Sequence, residues 1–268
     1  MNQPPSTKRR WSIGRQLRIL LLLGLLTAAV YAHQAEPDRI PDWERPLVVG
    51  IYPHNADGSE TVADYLQAIN PEQFQEIEAF MAREARAYNL PLERPFIFRL
   101  AEPSERNAPP TPPPAGSLAA DLRWAVSLRL WRWRFDRQNL QPDVVMVVHY
   151  HAPTQQPAYL HSVGILDLRM AVANLLAHEQ ADAHNNVVLA HELLHTVGAT
   201  DLYHPLSTLP VFPQGYAEPD QYPRYPQQQA ELMAGRLPLR PGQAREAHGL
   251  QETTIGDRTA AEIGWVKR

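Results

Sequence analysis

The chain has 268 residues, with 25 Lys and Arg against 29 Asp and Glu and no cysteine. That length buries the core of one sizeable domain, and a formal charge of −4 gives no general attraction for nucleic acid or acidic membranes. The missing thiols exclude disulfides, cysteine nucleophiles and thiolate metal ligands.

Lys8, Arg9, Arg10, Arg15 and Arg18 precede an apolar run from Ile19 to Ala32, and no acidic residue comes before Glu36. This is the charge layout of an export signal whose basic end stays in the cytoplasm. The run is shorter than the ~20 apolar residues of a spanning helix and suits a signal-peptide core, with Val30-Tyr31-Ala32 as an acceptable cleavage site. Residues 1–32 therefore read as a signal peptide or a retained N-terminal anchor, and 33–45 as a polar linker. In either case the remainder is exported to a periplasmic or other extracytoplasmic space, and membrane contact is expected only through this segment.

Leu47 to Tyr52 is apolar and β-branched, which predicts a strand, and Asp57-Gly58 predicts a turn. Helical sequence runs on to about Tyr88, restarting at Asn70 as cap and Pro71 as first residue, with Phe74, Ile77, Met81 and Ala85 as its buried face. Phe96 to Leu100 predicts a second strand, and the proline-rich stretch from Pro103 to Pro114 an extended surface loop. A helix from Leu118 to Asp136 follows. Its arginines and tryptophans could suggest nucleic acid, but Trp124, Leu128, Trp131 and Phe135 form a helical stripe that belongs in the core, with the arginines on the solvated side. Asp143 to Tyr150 is nearly all apolar, as in a strand covered on both faces, and Tyr159 to Leu166 predicts another strand, with Gly164 suited to close backbone approach or to a bulge. Strands alternating with helices predict an α/β sheet with helical crossovers. Beyond residue 201, Pro205, Pro210, Pro213, Pro219, Pro223 and Pro226 predict irregular structure, and Asp257 to Trp265 a short helix ending near Gly264. Residues 46–268 thus form one domain, with 46–200 as its upper and 201–268 as its lower part.

Residues 191–201, His-Glu-Leu-Leu-His-Thr-Val-Gly-Ala-Thr-Asp, carry the chemistry. His191 and His195 stand four apart on a helix and project from one face, which suits a shared Zn²⁺ with Glu192 as general base. Asp182 or Asn185 can cap the helix, and its apolar residues nearly encircle it, as in a buried helix. Gly198 lets the chain leave the helix sharply, so that Asp201 can return as a third ligand. Glu218 and Glu231 are rival third ligands; Glu218 lies among prolines that prevent a helix, and Asp201 accounts for more of the sequence. His149, His151, His184 and His204 read as structural or surface residues, with His204 next in line for the metal.

The stretch resembles the zinc-binding consensus of the metzincin metalloproteases, in the minority version whose last ligand is aspartate, as in snapalysin-like and immune-inhibitor-A-like enzymes. The resemblance implies an α/β (α+β) zincin with a mixed twisted sheet, an antiparallel edge strand and an active-site helix. It also implies a small irregular C-terminal subdomain with a methionine turn. Glu231-Leu232-Met233-Ala234-Gly235 is the candidate turn, with Met233 under the histidines. The edge strand, where extended substrate pairs with an open sheet margin, falls on Tyr159, His161, Val163 and Gly164. Some metzincins add a tyrosine near the metal; Tyr203, Tyr216, Tyr222 and Tyr225 are equal candidates. The chain departs from the family's commoner pattern in its aspartate and in the residues flanking Met233.

The expected function is zinc-dependent hydrolysis of peptide bonds in a protein or peptide substrate, by a monomer, with no nucleic-acid partner. A zinc hydrolase acting on a non-protein amide is the alternative within enzymes. A non-catalytic zinc-bearing module of the cell surface is the alternative outside them, and Glu192 argues against it, since a scaffold needs no base.

Overall fold

A computed structural model of the chain describes residues 40–103, 108–110, 118–135, 138, 140–153 and 162–266, with several helical positions between 14 and 27. It falls into two compact units, Met1–Arg39 and Ile40–Arg268. In the first, Leu20, Leu22, Leu23 and Leu26 are all more than half exposed. Among the described residues no helix is long and apolar enough to cross a membrane.

The second unit is mixed α/β. Strands β1 (Leu47–Asn55), β2 (Phe96–Leu100), β3 (Val144–His151), β4 (Val163–Ile165) and β5 (Met170–Leu176) form one sheet in the order β2-β1-β3-β5-β4. The pairings are parallel except β4 on β5, so β4 is an antiparallel edge strand. Helices α1 (Glu60–Ala68), α2 (Gln75–Ala87) and α4 (Asp182–His195) share a core with one face, and α3 (Leu118–Arg134) packs on the other. The strand period of two produces this division: Val144, Met146 and Val148 of β3 face the first core, and Val145 and Val147 the second.

The restart predicted at Asn70-Pro71 is a short 3₁₀ turn, Pro71–Phe74, closed by a capping box in which the Asn70 and Gln73 side chains each take a backbone N–H of the other end. Phe74, Ile77, Met81 and Ala85 are buried as the periodicity requires. The inner stripe of α3 is also as read, with Leu128 and Phe135 buried and Trp124 and Trp131 packed against them.

Several expectations need correcting. Strand β5 was missed. Five residues of its sequence, Met-Ala-Val-Ala-Asn-Leu-Leu, are the good helix formers Met, Ala and Leu, so composition hid a strand buried in the sheet. The strand expected over 159–166 is described only as Val163–Ile165, Leu166 begins a 3₁₀ turn, and Tyr159 and His161 lie outside the described residues. Neither Asp182 nor Asn185 caps α4. The helix follows a 3₁₀ turn, Glu179–Ala181, whose cap is the His178 ring. Asp182 instead accepts from the Tyr65 hydroxyl, and Asn185 bonds both backbone groups of Leu176, fastening the helix to the end of β5.

The body begins earlier than residue 46. Trp43 is buried, donates its indole N–H to Ile263 O at 2.7 Å and packs edge-on against Phe96 and Trp265, so part of the proposed linker closes the core. The segment after 201 contains paired strands, β6 (Ala230–Glu231) with β9 (Thr253–Thr254) and β7 (Arg236–Arg240) with β8 (Gln243–Glu246), and ends in α5 (Asp257–Glu262). Its Leu232, Met233, Leu250 and Ile263 belong to the same core as the sheet. The upper and lower parts are therefore walls of one body.

Candidate metal centre

Three side chains of the motif converge. His191 Nε2 and His195 Nε2 are 3.1 Å apart, and Asp201 Oδ1 is 3.2 Å from each. Among the described residues this is the one group of three or more His, Cys, Asp or Glu side chains close enough to share a metal ion.

Backbone carbonyls fix which nitrogen of each ring faces inward. His191 Nδ1 lies 3.0 Å from Leu232 O, and His195 Nδ1 lies 2.9 Å from Ala199 O. A carbonyl oxygen only accepts, so each Nδ1 carries the hydrogen and each Nε2 presents its lone pair. Two lone pairs and a carboxylate oxygen at these separations repel one another unless positive charge lies among them, either a proton on an imidazole or a metal ion. The same convergence raises the pKa of His191 despite its burial, and holds Asp201 below the usual carboxylate range although burial opposes this. For ligands 2.0–2.1 Å from a tetrahedral ion, the edges of the tetrahedron are about 3.3–3.4 Å. The observed triangle, at 3.1–3.2 Å, fits a zinc-sized cation.

Gly198 makes the bend. Its φ of 114° is open to glycine and strained for other residues, and a Cβ there would lie 3.1 Å from Glu262 O. The turn lets Ala199 N–H close on Leu194 O and swings the Ala199 carbonyl over His195. Asp201 is then pinned on both sides. Thr200 donates its N–H and hydroxyl to Glu262 of α5, and Leu202 N–H donates to Met233 O at 2.9 Å.

The turn beneath is built around Glu231. Leu232–Ala234 is one 3₁₀ turn, and Gly235 leaves it at φ 68°. Met233 is fully buried, and the carbonyl before it orients His191. Glu231, the rival third ligand, is outside the triangle. Its carboxylate accepts from Ala234 N–H, Gly256 N–H and the Thr259 hydroxyl, and so ties the turn to α5. Glu218 accepts from Gln228 N–H in the proline-rich loop and is no part of the cluster either.

Glu192 is buried beside the triangle, and its Oε2 has no hydrogen-bond partner. Burial is the main reason its pKa is raised, while His191, His195 and the N–H of Gly164 pull it back. Gly164 lies directly on α4: a Cβ there would fall 2.4 Å from His195 Cβ and 2.5 Å from Glu192 O. Its lack of a side chain therefore serves contact between edge strand and helix. Val163, with 36% of its surface exposed, is at the free margin of the sheet.

The structure ranks the tyrosines that the sequence could not. The Tyr203 ring lies 6.5 Å from His191, nearly parallel, and its hydroxyl bonds Asp201; burial and that carboxylate push its pKa up to about 12. Tyr216 and Tyr225 bond each other, and Tyr222 is fully solvated. A cavity of about 370 Å³ opens beside His191 and Glu192, with Val187, Val188, Tyr203, Pro205 and Ala234 in its walls.

The other histidines lie outside the cluster. His151 bonds Asn174, His184 faces Ala247 O, and His204 closes a local turn through Leu206 N–H. His149 is kept neutral by burial and by His54 and His151, with a pKa of about 4. No protein-family model matches the chain, and no curated protein matches it.

Proposed function

We propose that this protein is an exported or membrane-anchored zinc-dependent metalloendopeptidase of metzincin type, with His191, His195 and Asp201 as ligands and Glu192 as general base. The observation that carries the reading is the mutual 3.1–3.2 Å approach of two carbonyl-oriented imidazoles and one carboxylate. Three protein ligands leave room for water or substrate, the pattern of catalytic rather than structural zinc. Zinc held there supplies Lewis acidity, acidifying water toward neutral pH and polarising a carbonyl.

The chain's own groups account for the remaining steps. Glu192 lies against Gly164 of β4 and keeps Oε2 free to accept a proton. Its raised pKa brings it closer to neutrality, where one group serves as base and then as acid. As the oxygen of water bonds to the scissile carbonyl carbon, Glu192 takes the proton; as the C–N bond breaks, it gives that proton to the departing amine. Tyr203 steadies the Asp201 carboxylate. The free margin of β4 can pair with an extended peptide backbone, and the neighbouring cavity, walled by Val187, Val188 and Ala234, suits an apolar side chain next to the scissile bond. The Glu231–Gly235 segment, with Met233 buried at its centre, takes the part of the methionine turn.

The test is metal content together with cleavage of a peptide library, for wild type and Glu192→Gln. The variant should keep its zinc and lose turnover by at least ~10². Equal inertness of both proteins while each retains zinc would leave a metal-bearing module without enzymatic activity.

A further inference from the structure

Helix α3 carries two apolar faces, and only one of them is used. Opposite the inner stripe, Leu122, Val126, Leu130 and Trp133 recur at spacings that place them on one side of a helix. They are 60%, 57%, 50% and 76% exposed. Together they make an apolar patch on the order of 400 Å², the size of the largest patch on a typical monomer, which is often functional. Arg123, Arg129 and Arg134, all exposed, flank the stripe, and no acidic residue occurs between Leu122 and Phe135. Arg129 approaches Asp167 at 3.5 Å, but both side chains are well solvated and the pair is weak.

We infer that this face of α3 seats the Ile40–Arg268 body on an anionic phospholipid surface. Trp133 and Leu130 enter the boundary between headgroups and acyl chains, and the arginines meet the phosphates. The composition is that of an interfacial helix: leucine and an indole for the boundary, and arginine stems that lie along apolar surface with their charge in water. A second copy of the chain fits less well. The patch is about half the ~800 Å² per partner of a standard interface. A two-fold contact would also bring arginine-flanked stripes together with no acidic residue between Leu122 and Phe135 to pair with them.

A membrane as the occupant also accords with the N-terminal sequence, where Lys8, Arg9, Arg10, Arg15 and Arg18 precede the apolar run Ile19 to Ala32. This extends the membrane contact expected from the N-terminal segment alone, and it does not depend on the metal centre.

Because the chain has no cysteine, a single introduced thiol can be labelled cleanly. Full-length Leu130→Cys and, as a control, Leu206→Cys at a site 92% exposed would each carry an environment-sensitive fluorophore. Both are mixed with phosphatidylcholine vesicles containing nitroxide lipid, with and without phosphatidylglycerol. The expected result is strong quenching and a blue shift at position 130 on phosphatidylglycerol vesicles, little change at 206, and loss of the difference in high salt. In the Leu130→Cys background, Arg123→Gln and Arg134→Gln, both at solvated sites, should each lower the vesicle partition constant, read from quenching against lipid concentration, about fivefold. Trp133→Glu should abolish the quenching while circular dichroism stays unchanged. Equal quenching at 130 and 206 overturns the inference. So does protection at 130 that appears without vesicles and grows with protein concentration, which would reveal a second copy on the stripe.

Discussion

Replacing Glu231 with glutamine tests how the turn supports the metal centre. The carboxylate is fully buried and accepts from Ala234 N–H at 3.0 Å, Gly256 N–H at 3.2 Å and the Thr259 hydroxyl at 2.6 Å. Glutamine keeps the shape but turns an NH₂ toward groups that are themselves donors. About two donors lose their acceptor at roughly 1–3 kcal/mol each, and removing a buried charge offsets part of this, so the net cost is about 2–4 kcal/mol. For a body of this size that lowers Tm by roughly 4–16 °C. The turn also carries Leu232 O, which orients His191, and loss of such outer support typically weakens metal binding by about 10–100-fold. Burial raises the pKa of Glu231. Between the unfolded and the folded pKa, the folded state holds a proton that the unfolded chain releases. Its contribution is complete in acid and is lost as pH rises through the folded pKa, whereas glutamine does not titrate, so this pH-dependent loss of stability should be seen in the wild type and be absent from the variant. Thermal melts across pH in the presence of chelator, and chelator competition for zinc at neutral pH, measure both effects. A variant that melts with the wild type at every pH and binds zinc equally well refutes the clamp.

Gly164→Val should cost about 1–3 kcal/mol and reduce zinc content and activity, because a Cβ 2.4 Å from His195 Cβ forces β4 off the helix; melts and metal analysis read it. Tyr203→Phe keeps the ring beside His191 and loses the hydroxyl on Asp201, so zinc affinity should fall on the order of tenfold with Tm of the metal-free protein unchanged. Asp143 accepts both guanidinium N–H groups of Arg45, at 2.7 and 2.9 Å, and Val48 N–H. Hydrogen bonding to Arg45 is the main cause of its lowered pKa. That stability is present above the ordinary aspartate range and lost as pH falls through the lowered folded pKa. Asp143→Asn should therefore cost about 1 kcal/mol at neutral pH, modest because Arg45 is solvated, and nothing in strong acid, as urea denaturation at the two pH values will report.

What the sequence disclosed follows from the range of each signal. The four-residue spacing of His191 and His195 and the glycine before Asp201 are local, so the sequence alone discloses the three donors. Strands β1, β2 and β3 were legible because β-branched runs bounded by turns have few other uses. Strand β5 was not, since its alanines and leucines favour a helix and only pairing with β3 and β4 makes it a strand. The role of Glu231 was equally hidden. Its donors lie as far away as Thr259, and nothing within a few residues separates a buried acceptor from a metal ligand. The outer stripe of α3 was present in the sequence, but one stripe of apolar residues was enough to satisfy a core reading, and the second became visible only once the sheet had covered the first.

These long-range contacts also explain why metal affinity and stability should vary together in this protein. His191 is oriented by Leu232, His195 by Ala199, and the segment around Asp201 by Met233 on one side and Glu262 on the other. No ligand is held by α4 alone. A helical His-Glu-x-x-His segment supplies two donors at the right spacing, but each ring can rotate until a carbonyl from another segment fixes it. The third donor has no position at all until the chain after Gly198 is fastened to the turn and to α5. Loosening α5 or the Glu231 turn should therefore weaken metal binding before the sheet melts, whereas loosening the start of the β1–β3 pair should lower Tm and leave affinity nearly unchanged. The Glu231→Gln and Asp143→Asn variants separate these cases: the first should change both quantities and the second only stability.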